Sequence, residues 1–549
     1  MADASEESPP PTAAASTPPA LTGAQVAAAA AVAGLAFTDA EQALMLEGLE
    51  EKRAAYAQIR AVPLPNALPP AFVFDPRLPG TPRPPPPAAA TAVPSAAPIP
   101  VPADLEELAF APVTQLAALL RTGRVSSVAL TEMYLRRLQR YGPLLHCVVT
   151  LTAERALAQA RQADAELATG HDRGPLHGIP WGAKDLLATR GIRTTWGAAP
   201  YQDQVPDRDA TVVARLDAAG AVLVAKLSVG ELAWGDVWFG GTTRNPWDLA
   251  AGASGSSAGS AAATAAGLVG FALGTETWGS IVSPCTRCGV TGLRPTFGRV
   301  SRQGAMALAW SMDKIGPVAR TVADCALVFA AISGPDGQDR TVVDAPFAWD
   351  PARDLRDLRI GYVASAFAEE HDGQALDAQM LDRLRALGAV LQPIALPDYP
   401  IAALSFILSA EAAAAFDELT RSDRDDLLVR QEADAWPNVL REARLIPAVE
   451  YIQANRVRTL LMQEMAALFD LIDVYVAPSF GGHNLLLTNL TGHPAVVVPN
   501  GRTPDGAWNS ITFTGPLDGE ATALAVAHAY QEATGFHHAH PILQETPAP

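Results

Sequence analysis

Hydrophobic and polar positions divide the 549-residue chain into stretches of different character. From Thr38, "TDAE" is a capping box, and Met45, Leu49, Tyr56 and Ile59 fall on one face of a helix that needs something to pack against. The segment 61–104, which includes "DPRLPGTPRPPPP", carries prolines too dense for helix or sheet interiors and predicts an extended linker or strap across the surface. Beyond Leu105 the pattern becomes globular. "ATVVARLDAAGAVLVAKLS" reads as a helix ended by Gly220 and then a short run, Ala221 to Lys226, with no polar alternation, which describes a strand buried on both faces. Similar runs at 358–364, 473–478 and 494–499, with helical segments between them, predict an α/β fold: a large mixed β-sheet covered by helices on both faces. The expected organisation is a disordered tail over 1–21, a helical N-terminal extension over 22–60, the Pro-rich strap, and one large domain over 105–545.

Composition narrows the class. With 49% hydrophobic and 18% charged residues the chain can bury a large core. A formal charge of −18 without any run of Lys or Arg argues against nucleic acid as a direct partner. Four cysteines in so long a chain are no disulfide scaffold, and the pair Cys285 and Cys288 lacks the second ligand pair a zinc site requires, so no metal is expected. The apolar run Val26 to Phe37 is well short of the ~18 residues that span a bilayer. The acidic start "MADASEESPP" lacks a basic signal region, which makes cytoplasmic the expected location.

Two features raise the question of chemistry. Of 40 basic side chains only Lys52, Lys184, Lys226 and Lys314 are lysines. A retained lysine can do what arginine cannot, which is to lose its proton near neutral pH when desolvated; the alternative for Lys184, in "HGIPWGAKDLLATRG", is a strand-end amine that reaches water or pairs with an acid. The second feature is "GASGSSAGS", residues 252–260, which flows into the apolar run "AAATAAGLVGFALG" of buried-helix character. Such a stretch is a linker, a phosphate cradle or a catalytic loop, and "GxxxxGK[ST]" is absent.

Three segments taken together are far more specific. "GPLHGIPWGAKDLLATRGIRTTWG", "NPWDLAAGASGSSAGSAAATAAGL" and "ALGTETWGSIVSPCTRCGVTGLRPTFGRVS" resemble, in order and spacing, the core of the amidase signature family, as do "SMDKIGPVARTVADCALVFAAISGPD" and "LTGHPAVVVPNG" downstream. The resemblance spans about 105–540. It implies a Ser–cis-Ser–Lys triad in which Ser280 is the nucleophile, Ser256 the bridging serine 24 residues earlier, and Lys184 the base, with Ser257 supporting the loop. It further implies an oxyanion hole of backbone N–H groups at Thr277, Trp278, Gly279 and Ser280, and an acyl-enzyme route that uses no cofactor.

The sequence departs from the family pattern at Trp278, where a small residue is common, and at Ser254 and Ala258, which replace glycines. An N–H donor survives any non-proline substitution, so Trp278 is expected to act by bulk near the acyl or leaving-group pocket. His177, Asp313 and His493 invite a Ser–His–Asp reading, but each sits in a motif whose work in the family is structural. The expected function is an amidohydrolase acting on an amide C–N bond, with carbamates and esters open to the same route and a small-molecule amide or carbamate as its partner. The alternative is the ammonia-transferring subunit of a tRNA-dependent amidotransferase. Substrate choice falls to the segment 365–470, with Trp310, Trp436, Phe406 and Phe416 as candidate pocket residues; oligomeric state is open, a homodimer being one outcome.

Overall fold

A computed structural model describes residues 19–62, 64–70, 72–78 and 99–543. Most of the expected tail, residues 1–18, and the densest prolines, 79–98, lie outside the described residues.

The described residues up to Pro65, with Leu445–Pro447, form one compact unit. In it, Gly23–Val32 and Asp39–Arg60 are helices, each opened by a threonine capping box; Glu41 N donates to Thr38 Oγ1 at 3.3 Å and Thr38 N to Glu41 Oε2 at 2.7 Å. The second helix buries none of its side chains. Met45 and Leu49 are half-buried while Tyr56 and Ile59 are exposed, so the expected apolar face is covered only along its N-terminal half.

The second unit runs from Asn66 through Arg444 and from Ala448 onward. It is built on an eleven-stranded sheet, in spatial order Val148–Leu151, Val222–Leu227, Pro180–Lys184, Phe271–Glu276, Lys314–Ala319, Thr291–Arg294, Ala495–Arg502, Trp508–Thr514, Val474–Pro478, Arg359–Val363 and Val390–Ile394. Pairing is mixed. Pro180–Lys184 runs parallel to both its neighbours, whereas Phe271–Glu276 and Lys314–Ala319 are antiparallel, with Glu276 opposite Lys314. In the central strands every residue is buried, and because successive side chains point to opposite faces, both faces are covered. That is why these strands read as unbroken apolar runs. No helix among the described residues is long and apolar enough to cross a membrane.

The apolar run after the serines is not one helix. Ala258–Ala265 is helical and wholly buried, Gly267 turns the chain at φ +63°, and Phe271–Glu276 continues as a strand. Arg320 fixes this turn. Its guanidinium donates to five carbonyls, those of Phe110, Ala111, Thr264, Val269 and Gly270, at 3.0 to 3.3 Å. The rigid fork of an arginine meets this array, and a single ammonium cannot. Cys285 and Cys288 are buried free thiols on the helix Val282–Cys288, and no group of three metal-ligating side chains occurs among the described residues.

Arg320→Lys is expected to lower the stability of this unit by about 3 kcal/mol, since several buried carbonyls lose their donor at once. Urea denaturation followed by tryptophan fluorescence measures it.

Candidate active site

Lys184 is the last residue of a fully buried strand, and its side chain has no accessible surface. Its Nζ lies 2.9 Å from Ser256 Oγ, 2.9 Å from Ser257 Oγ, 2.8 Å from Thr275 Oγ1 and 3.3 Å from Thr275 O. No ion pair reaches it among the described residues. Burial pushes its pKa well below the ordinary 10.5, and Asp313 and Glu276 oppose this only in part. The acid next to it in sequence is engaged elsewhere: Asp185 pairs with the buried Lys226 at 3.0 Å and accepts from Thr195 N and Oγ1 at 2.8 and 2.5 Å. The two lysines therefore have opposite roles. Lys226 is ion-paired; Lys184 is not.

The Gly/Ser stretch is a rigid loop. Ser254 holds a left-handed φ of +60°, with its N–H on Asp236 Oδ2 at 2.8 Å and its hydroxyl 2.7 Å from that of Ser283. The Gly255–Ser256 peptide is cis. A Cβ at Gly255 would stand 1.8 Å from the Gly235 carbonyl oxygen, so only glycine fits. Ser256 and Ser257 are fully buried. Ser257 Oγ accepts from Thr275 N and donates to Thr275 O, both at 3.1 Å, and Ser257 N donates to Ser280 O at 3.2 Å. This last bond ties the serine loop to the segment carrying the expected nucleophile. Between the hydroxyls of Ser280 and Ser256 there is no hydrogen bond among the described residues.

Residues 277–280 link the strand Phe271–Glu276 to the helix Val282–Cys288. Glu276 pins this turn: Oε2 accepts from Ile281 N and Val282 N at 2.8 and 2.9 Å, while Oε1 accepts from Arg294 at 2.8 Å and Asn489 at 2.9 Å. Burial alone would raise its pKa, yet Arg294 and these donors hold it down to about 2. The backbone N–H groups of Thr277, Trp278, Gly279 and Ser280 have no acceptor among the described residues, as an anion-receiving turn requires. Thr277 Oγ1 donates to Asp313 Oδ1 at 2.6 Å. The Trp278 side chain is 46% exposed and is not part of the wall of the cavity described below.

Beside these groups lies a cavity of about 770 Å³. Thr275, Thr277, Asp313 and Lys314 contribute to its wall, as do Trp310 and Met462. The described part of the Pro-rich segment also lines it, through Pro69, Pro70 and Phe72 to Asp75. That segment is a strap rather than a linker: Asn66 exchanges two hydrogen bonds with Ala307, Phe74 packs edge-on against Phe297 at 5.1 Å, and Arg77 pairs with Asp518 at 2.8 Å. Of the candidate pocket aromatics Trp310 alone lines the cavity. Trp436 donates to Glu231 O, Phe416 packs on Trp196, and Phe406 joins the core.

Comparison with known proteins identifies the family. The amidase family profile matches residues 129–524. The chain belongs to the amidase signature family. It is 36% identical over 473 residues to the glutamyl-tRNA(Gln) amidotransferase A subunit of Methylococcus capsulatus, covering 77% of this chain and 97% of that one. To the protein of the same name from a Roseiflexus species it is 39% identical, covering 78% and 96%. The structure of a peptide amidase from Stenotrophomonas maltophilia matches with a TM-score of 0.70 and 31% identity, over 78% of this chain and 98% of the other. As an amidase signature protein the chain is an enzyme acting on C–N bonds.

The residues of the alternative Ser–His–Asp reading do not meet. His177 stands 3.1 Å from Glu166, His493 lies 2.8 Å from Thr491 Oγ1 with its pKa lowered to about 3 by burial and Arg294, and Asp313 accepts from Thr277, Leu308 and Ala309. Thr275 and Glu276 belong to the site although their motif alone assigns them no role. A hydroxyl and an acid at the end of a buried strand are the signal that could have found them.

Glu276→Gln leaves Arg294 buried without its counter-ion. The expected result is a stability loss of about 3 to 5 kcal/mol, together with a fall in turnover as the 277–280 turn loosens, read by chemical denaturation and by amide hydrolysis at a temperature where the variant stays folded.

Proposed function

We propose that the protein cleaves an amide C–N bond through an acyl-enzyme on Ser280, with Ser256 relaying its proton to Lys184. The observation that carries this reading is Lys184: a buried amine with no ion pair among the described residues, 2.9 Å from Ser256 Oγ. The hydrogen bonds around the amine are compatible with a neutral base. The Ser257 hydroxyl hydrogen is directed at Thr275 O, so Ser257 accepts from the amine. Thr275 takes the second N–H. Ser256 Oγ, 2.9 Å from the amine, has no other partner among the described residues, so with the amine neutral its hydroxyl would donate to the lone pair.

A serine hydroxyl becomes nucleophilic when a nearby base removes its proton, and desolvation is what makes a lysine such a base near neutral pH. Ser280 Oγ would attack the carbonyl carbon as its proton passes to Ser256 Oγ and that of Ser256 passes to Lys184 Nζ. The resulting oxyanion meets the free N–H groups of 277–280, each such donor being worth ~3 kcal/mol of barrier. The same relay returns a proton to the leaving amine as the C–N bond breaks. Water then attacks the acyl-enzyme and restores Ser280. No step calls on a metal or an organic cofactor.

The identity of the relatives favours a second use of this chemistry. At 36% and 39%, against 31% for the peptide amidase, they support the reading of an ammonia-supplying amidotransferase component over that of a free-standing amidohydrolase. Both begin with the same C–N cleavage. The −18 formal charge argues against the chain holding tRNA by itself, so this use would require partner proteins.

The test is hydrolysis of glutamine, aliphatic amides, anilides, an aryl carbamate and an ester by the protein alone. Wild type turns over at least one of them, and Ser280→Ala and Lys184→Ala each reduce that rate by ~10³-fold or more. Retention of the wild-type rate in Ser280→Ala overturns the assignment. Turnover that appears only when the other amidotransferase components are added points to the second use. Because the base must be neutral, kcat/KM rises with pH through the Lys184 pKa and levels off well below 10.5.

A further inference from the structure

Lys314 has no part in the chemistry above, yet it is one of only four lysines and lies in the wall of the cavity. It is 3% exposed, and its only hydrogen bond among the described residues goes to Met312 O. No acid among the described residues pairs with it, although two are near. Glu276 stands opposite it on the adjacent strand but spends its oxygens on Ile281, Val282, Arg294 and Asn489. Asp313, the preceding residue, spends its own on Thr277, Leu308 and Ala309. A buried ammonium left in this state is costly, with two N–H donors unused.

Two further observations point the same way. Trp310, on the same wall, has a buried indole N–H with no acceptor among the described residues. Arg458, also on the wall, is a second buried cation without an ion pair among the described residues; its donors go to Leu490 O and to Ser311, and Phe74 of the strap lies against its guanidinium at 3.5 Å. In a chain of formal charge −18, five basic side chains line this cavity against four acidic ones. The wall offers unused donors, and Thr275 and Thr277 are part of it.

We infer that Lys314 anchors a carboxylate of the substrate, so that the amide cleaved here carries a free carboxylate on the portion lodged in the cavity. This deepens the proposed function and takes the cavity, whose wall includes Thr275 and Thr277 of the site described above, as the place where its substrate lodges. In the free protein burial lowers the Lys314 pKa, Arg294 and Arg458 act in the same sense, and Glu276 and Asp313 oppose them. An arriving carboxylate reverses the balance and draws a proton onto the amine. Binding is thereby linked to proton uptake.

The test is titration calorimetry of Ser280→Ala, which leaves the ligand uncut, with glutaramate and its isosteric diamide glutaramide. Measured near pH ~8 in two buffers of different ionisation enthalpy, glutaramate binds at least about tenfold more tightly and with net proton uptake. Adding Lys314→Met equalises the two ligands and abolishes the uptake. Lys314→Arg, always charged, keeps the preference without the uptake. Equal affinities in Ser280→Ala, a preference that survives Lys314→Met, or no detectable binding of glutaramate each overturns the inference. Binding is read without the Ser280 hydroxyl, so this outcome is separate from the question of which residue attacks.

Discussion

The structure is organised around an amine kept out of water and away from acids. Lys184 can accept a proton only while no carboxylate stands beside it, and the site contains several acids that would undo this condition. Each is committed elsewhere. Asp185 turns to Lys226, Glu276 to Arg294 and the turn before Val282, and Asp313 to Thr277 and two backbone donors. These pairings hold the strand ends and the 277–280 turn in place as well as neutralising charge, so positioning and electrostatics are served by the same contacts.

The sheet supplies the geometry. Pro180–Lys184 and Phe271–Glu276 are adjacent parallel strands, which brings Lys184 beside Thr275 without any long side-chain excursion. The serine loop then meets both strand ends: Ser257 bridges Thr275 and Lys184, and its N–H reaches Ser280 O. Close approach of the backbone at Gly255 and a left-handed Ser254 shape the loop, which is why its sequence is small residues and yet its structure is not a linker.

Much of this was legible in the sequence. Buried strands announced themselves as apolar runs without alternation because both faces of the sheet are covered, and the motifs spaced along 105–540 carried the family. Four things were not legible. The run from Ala261 to Gly274 looked helical throughout because alanine and glycine at buried positions have no period, and the turn at Gly267 depends on Arg320, over fifty residues away. The strap's place on the cavity wall comes from contacts such as Phe74 with Phe297 that no local pattern encodes. That the Trp278 side chain is half exposed and stands outside the cavity wall is written in no local pattern. The isolation of Lys314 likewise emerges only when the partners of Glu276 and Asp313 are counted.

The central claim is that Ser280 is the nucleophile and that Lys184 activates it through Ser256. The most direct measurement is labelling with a fluorophosphonate, followed by peptide mass spectrometry. The account predicts one adduct, on the peptide containing Ser280, formed at least ~100-fold more slowly in Lys184→Met. An adduct on Ser256 or elsewhere, or an unchanged rate in that variant, would contradict it.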